Sequence, residues 1–292
     1  MNKYTIAQFR KEYPNNDACL DKIFKLRYTN LVCPKCESDK PFNRVEGRRS
    51  YFCPSCGFQL YPTKGTIFEK TTTSLLDWFL IIHMQTTTRN GVSAKEIERT
   101  LDVCYKTALR MAHQIKILMA NRNTEPLTGV IEIDETYIGG LMKNKHGKDK
   151  AKYKDENGDF IDNKTGVMGF MERGNTVRAE VMDDEKSFKE RVRNNVDKSA
   201  TLITDSHLSY KGLNKEYNQH EVISHSEKEY ARGEYHTNTI EGVWSQLKRT
   251  IKGTHIHVSK KHLQKYVDEI TFRYNHREKQ AEMFDIILSH VV

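Results

Sequence analysis

Hydrophobic positions change their spacing several times along the chain. In residues 1–28, Ile6, Phe9, Tyr13, Leu20, Ile23, Phe24 and Leu26 are scattered as helical anchors around Pro14-Asn15-Asn16, which predicts a short helical cap broken by a turn. From Leu31 to Phe68 the pattern shortens into small strands among Pro, Gly and Cys, and from Ser74 to Asn121 it becomes helical without a proline. Beyond Pro126, apolar runs predict strands at Val130–Ile138, Gly166–Met171, Thr176–Met182 and Ala200–Thr204, with a helix at Ser187–Val196. Strands, a helix, a strand and then further helices predict a mixed α/β sheet. Between Leu141 and Thr165 the apolar positions give way to Lys143, Lys145, Lys148, Lys150, Lys152 and Lys154, expected to form a mobile loop or long hairpin. The domains expected are a helical segment (1–30), a cysteine-bearing strand module (31–70), a helical region (71–125) and a sheet domain (126–292).

Charge narrows the partners. The 47 Lys plus Arg outnumber 39 Asp plus Glu, leaving a net charge of +8 that favours a polyanion, nucleic acid first. The strongest apolar run, Leu75 to Met84, contains Asp77 and His83 and is too short to cross a bilayer, so no membrane partner is expected. The N-terminus has no signal-like apolar stretch, which suits a soluble, cytoplasmic protein.

Of six cysteines, Cys33, Cys36, Cys53 and Cys56 stand in two Cys-x-x-Cys pairs separated by sixteen residues. Each pair can direct two thiolates at one ion, and four thiolates make a closed, structural Zn²⁺ site with no open position for substrate. Further along, Ser93 and Glu96 resemble a capping box opening a helix to Leu101, and a short link leads to a second helix from Tyr105. Such a pair suits a helix-turn-helix, with Tyr105, Lys106, Arg110, His113 and Gln114 facing a DNA groove.

The sheet domain carries the candidate chemistry. Val130, Glu132 and Asp134 share one face of the first strand, with Asp134 toward its end and Glu132 as a weaker rival. Asp205 follows Leu202-Ile203-Thr204 at another strand end. After Thr237, Ile240, Val243, Leu247 and Ile251 form an apolar stripe, with Glu241, Ser245, Lys248 and Lys252 on an adjoining polar face. Converging carboxylates repel one another, and a divalent cation is their natural neutraliser. Such a set suits phosphoryl transfer, with Lys248, Arg249 and Lys252 positioning the phosphodiester backbone. Ser206 and Tyr210 lack the arginine and histidine set that a covalent recombinase needs nearby.

Together with the paired cysteines, several motifs carry a family resemblance. They are Gly65-Thr66-Ile67-Phe68-Glu69-Lys70-Thr71, Ile133-Asp134-Glu135-Thr136-Tyr137-Ile138-Gly139-Gly140, Asn238-Thr239-Ile240-Glu241-Gly242-x-Trp244, and Tyr266-x-x-Glu269-x-x-x-Arg273-Tyr274-Asn275-x-Arg277. Over nearly its whole length the chain resembles bacterial insertion-sequence transposases with an N-terminal zinc ribbon and a DDE-type integrase domain, related to Merlin elements. The resemblance implies an RNase H-like α/β catalytic domain with Asp134, Asp205 and Glu241 as ligands of two Mg²⁺ ions, Mn²⁺ being an alternative. It also implies Lys248 as a DNA contact, and Asn238 as a rival third ligand because some relatives use Asn there. Transposon ends and target DNA are the implied partners, with at least a dimer on DNA in the bacterial nucleoid. The competing reading is an inactive zinc-ribbon and helix-turn-helix regulator derived from a transposase.

Overall fold

The computed structural model describes residues 4–139, 164–183, 187–223 and 231–291. The lysine-rich stretch from Lys143 to Lys154 lies outside the described residues. The chain divides into two compact units, one of Met1–Met119 with His276–Val292 and one of Ala120–Asn275.

The first unit opens with α1 (Ile6–Glu12), whose Thr5 cap exchanges hydrogen bonds with Gln8 in a capping box. Helix α2 (Asn16–Arg27) starts where Asn15 accepts the N–H groups of Asp17 and Ala18, so the Pro14-Asn15-Asn16 turn is a helix cap. Strands β1 (Asn43–Arg44), β2 (Tyr51–Phe52) and β3 (Gln59–Leu60) form a small antiparallel meander. Tyr51 fastens it to α2 by stacking on Phe24, with ring centroids 3.9 Å apart, and by donating its hydroxyl to Asp21. The strongest apolar run becomes α3 (Leu75–Thr87), where Leu75, Trp78, Phe79, Ile81 and Ile82 are all buried. Helix α4 (Ala94–Leu101) begins where Ser93 Oγ accepts the Glu96 N–H at 3.1 Å, and closes at Asp102 in a left-handed conformation. Helix α5 (Tyr105–Leu118) packs against it, giving the expected helix pair.

The second unit holds β4 (Val130–Ile138), β5 (Thr165–Glu172), β6 (Val177–Val181), α6 (Phe188–Asn195), β7 (Thr201–Asp205), β8 (Gln219–Ile223), α7 (Asn238–Thr250) and α8 (Leu263–Asn275). Its sheet order is β6-β5-β4-β7-β8; β4, β5 and β6 are antiparallel neighbours, while β7 and β8 run parallel to β4. This is an RNase H-like mixed sheet. One face packs Ile131, Ile133, Phe170 and Leu202 under Val192 of α6; the other packs Val167, Met171 and Val177 under Ile240, Val243 and Trp244 of α7 and Val267 and Ile270 of α8. Strands buried on both faces read as nearly unbroken apolar runs. The open edge of β6 is covered by α8, whose Gln264 and Asn275 side chains bond the backbone of Val181, Ala179 and Val177.

Helix α9 (Met283–Ser289) returns to the first unit, so the expected sheet domain of 126–292 ends at Asn275 instead. Phe284 joins an aromatic cluster, 5.6 Å from Tyr13 and 5.9 Å from Phe79 between ring centroids, and Asp285 pairs with Lys22 at 2.7 Å. An amphipathic stripe announces a helix but not the core it joins.

Candidate active site

Alternation along β4 sends Glu132 and Asp134 toward α7 and Glu135 toward the opposite face. Asp134 lies opposite Gly169 of β5, and its Oδ2 accepts the indole N–H of Trp244 at 3.0 Å. The buried indole rests on the glycine: a Cβ at Gly169 would stand 2.5 Å from its Cη2 and Cζ2 and 2.9 Å from Ile240 Cδ1. Glycine is therefore what lets α7 approach β5 closely enough to deliver that N–H.

Asp205 closes β7, and its Oδ1 accepts the His207 N–H at 3.0 Å. The His207 ring stacks on Phe188, 5.4 Å between centroids, at the start of a 3₁₀ turn, Leu208–Tyr210. Tyr210 is 1% exposed and donates its hydroxyl to Glu135 Oε2 at 2.7 Å, so it is no accessible nucleophile. Glu241 is exposed in the first turn of α7, where the Thr237 hydroxyl donates to its Oε1 at 3.0 Å. Asn238, one turn earlier, is also exposed, as are Lys248, Arg249 and Lys252 farther along.

The carboxylates share one field. Burial, then the negative charges of Glu135, Asp205 and Glu241, push the Asp134 carboxyl up to about 7. Burial also raises Glu135, with Asp205 adding to the shift while Tyr210 and His207 oppose it. A site where several negative charges bear on one buried carboxyl is chemically suited to a divalent cation. The acidic trio is nonetheless more open than the cysteine site: among the described residues, only Cys33, Cys36, Cys53 and Cys56 form a metal-ligating group with donor atoms all within 4.8 Å of one another.

Glu132, the expected rival, has a different task. It is fully buried and accepts from Arg173 Nε at 2.8 Å, from the Thr239 N–H and hydroxyl at 3.0 and 2.9 Å, and from the Ile240 N–H at 3.1 Å. Its oxygens are committed to the N-terminus of α7, where a negative charge is favoured. Arg173 extends the clamp to the carbonyls of Glu234 and His236. Pattern reading ranked Glu132 by its face alone; Arg173, the residue directly after β5, was the available sign of a partner.

In the cysteine module, Cys33 and Cys56 sulfurs are 3.6 Å apart and those of Cys36 and Cys53 3.7 Å. Zn–S bonds of about 2.3 Å at tetrahedral angles require sulfur separations of about 3.8 Å, so the site fits zinc. The two knuckles are built alike: Glu37 and Gly57 occupy left-handed conformations, and each returns its N–H to the carbonyl of the first cysteine of its pair at 2.9 Å.

The groove-facing set on α5 needs one correction. Tyr105, Lys106 and Arg110 are exposed and Gln114 is half-buried, but His113 is buried. Helix α5 buries Met111, Ala112, His113, Ile115 and Lys116, more of its circumference than a two-helix module would require.

Comparison with known proteins agrees with this architecture. The family model described as an ISXO2-like transposase domain matches residues 126–275, slightly more than half the chain, and stops at the last residue of the sheet unit. The chain is also 26% identical over 276 residues to an uncharacterized protein in transposable element ISH50 of Halobacterium salinarum, covering 90% of this chain and 92% of that protein. With an RNase H-like sheet, a four-cysteine module and a domain match across the acidic site, the chain belongs to the ISXO2-like transposase family.

Proposed function

We propose that this transposase cuts DNA at insertion-sequence ends and joins the freed 3′-hydroxyl to target DNA, with Asp134, Asp205 and Glu241 holding two Mg²⁺ ions. The elevation of the Asp134 carboxyl, by burial and then by the negative charges of Glu135, Asp205 and Glu241, is the observation that carries this reading. When bound, the ions supply Lewis-acid activation of the attacking oxygen and positive charge for the oxygens of the phosphodiester.

The protein's own residues supply position. The Trp244 indole fixes one oxygen of Asp134 and so the orientation of its carboxyl. The Glu132–Arg173 clamp sets the start of α7 and hence the place of Glu241 relative to β4. Lys248 and Arg249 on α7 and Lys252 just beyond it are exposed, where they suit phosphate contacts that hold the DNA without reading its sequence. The zinc ribbon and the exposed Tyr105, Lys106 and Arg110 are assigned to recognition of the ends, and two ends acting together call for at least a dimer on DNA.

The test is cleavage of a labelled element-end duplex with Mg²⁺ by the unaltered protein, Glu241→Gln and Asn238→Ala. Cleavage lost in Glu241→Gln and kept in Asn238→Ala is expected. The reverse pattern would move the third ligand to Asn238, and specific binding with no cleavage by any form would favour the inactive regulator.

A further inference from the structure

From Gly242 to Val267 the chain carries Lys248, Arg249, Lys252, Lys260, Lys261 and Lys265 and not one Asp or Glu, in a protein with 39 acidic residues. This run is the remainder of α7 beyond Glu241, a π-helical turn at Ile251–His255, and the start of α8. Lys252, His257, Lys260 and Lys261 are exposed. A surface of that kind suits the phosphates of nucleic acid.

At its centre is Ile256, 82% exposed. Its backbone has φ +64° and ψ −53°, and the His257 N–H bonds back to the His255 carbonyl at 2.7 Å. That is a γ-turn of the positive-φ form, which is rare and strained. A β-branched residue is an outlier there, whereas glycine would adopt the turn freely. Burial gives no reason for isoleucine at this position.

The tip is also mounted rigidly. His255, the residue before it, meets Tyr266 of α8 edge to face, 4.7 Å between ring centroids. Its Nε2 lies 4.0 Å from Glu269, which is fully buried and paired with Arg273 at 3.2 Å. The π-helical turn that feeds the tip is itself a feature that recurs at functional sites.

A lone exposed apolar side chain is ordinary on a protein surface. An isoleucine held out on a strained turn, on a rigid mount and among lysines is not, and such strain is retained where it serves function. We propose that Ile256 is an apolar wedge that enters between adjacent base pairs of duplex DNA while Lys252, Lys260 and Lys261 hold the flanking phosphates. Side chains used this way unstack a base step and kink the duplex. The proposal rests on the DNA-transposase reading, and adds a contact outside the carboxylate site.

The test uses the full chain and duplexes of the element boundary with 2-aminopurine placed at successive positions. Binding of the unaltered protein should raise fluorescence severalfold at one base step. Ile256→Ala and Ile256→Gly should lose that rise while affinity falls less than tenfold, and Lys260→Ala with Lys261→Ala should weaken binding and flatten its salt dependence. Ile256→Gly should also melt no lower than the unaltered protein, because glycine accepts the positive φ; a side chain kept for stability would give a lower Tm. Retention of the fluorescence rise in Ile256→Gly overturns the wedge, as does salt-sensitive binding with no rise at any position. A change in oligomeric state with the rise intact would assign Ile256 to a protein interface instead. Absence of duplex binding by the unaltered protein would remove the transposase reading along with the wedge.

Discussion

Gly169→Ala is a one-methyl test of how the site is built. The added carbon would stand 2.5 Å from two indole carbons of Trp244 and 2.9 Å from Ile240 Cδ1, against an ordinary carbon–carbon contact of about 3.5–4.0 Å. The Ile240 methyl can give by turning, but the indole is a rigid ring, so it or the β5 backbone must move. Overpacking of this kind costs about 1–3 kcal/mol. Displacing the indole from Asp134 adds about 1–3 kcal/mol for a hydrogen bond to a carboxylate, giving about 2–6 kcal/mol in all. Urea unfolding reads the stability, and end cleavage reads the consequence at Asp134. Adding Trp244→Phe should relieve the clash and recover part of the stability, a coupling above about 1 kcal/mol, but not cleavage, because the N–H is gone. A Gly169→Ala protein within about 0.5 kcal/mol of the unaltered one and equally active would refute the reasoning.

Other perturbations separate the remaining supports. Arg173→Ala leaves the fully buried Glu132 without its cation and should cost about 3–5 kcal/mol in urea unfolding, and a loss below about 1 kcal/mol would mean that the backbone donors of α7 suffice. The Asp134 carboxyl titrates near 7 in the folded chain against 3.8 as a free group, so without metal its contribution declines as pH rises through that interval. Asp134→Asn should therefore be more stable than the metal-free unaltered protein at pH 8, by up to about 4 kcal/mol, and should lose stabilisation by Mg²⁺; a less stable metal-free variant would contradict the electrostatics. Zinc chelation should release amide protection in β1–β3 while β4–β8 stay protected, and simultaneous loss in both would contradict two independent units.

The sequence made some layers plain and hid others, for physical reasons. Strands β4, β5 and β7 announced themselves by mostly buried apolar runs, β6 by the alternation of Val177, Ala179 and Val181, and the paired cysteines because metal geometry tolerates few spacings. Strand β8, Gln219–Ile223, escaped because it is a polar edge strand with only Val222 and Ile223 to mark it. Asp134, Asp205 and Glu241 stood out as candidates from strand alternation, a strand end and helix periodicity, although Asp134 lies in the middle of β4; what surrounds them left no such sign. The Trp244 indole meets Asp134 only because Gly169 lies opposite in register, and register between distant segments leaves no local trace. Glu132 looked like a ligand since alternation reports a face and says nothing of partners; Arg173 and the N-terminus of α7 decide its role. His113 looked like a surface residue because a two-helix pattern cannot reveal the other helices that enclose it.

The central claim is metal-dependent strand transfer by the acidic trio. Its most direct test is joining of a labelled, pre-cleaved element end to target DNA in Mg²⁺, comparing the unaltered protein with Asp205→Ala and a 3′-hydroxyl end with a 3′-deoxy end. Joining by the unaltered protein that vanishes both in Asp205→Ala and with the 3′-deoxy end is the expected result. Joining that persists in Asp205→Ala, or that proceeds without the 3′-hydroxyl, would contradict it.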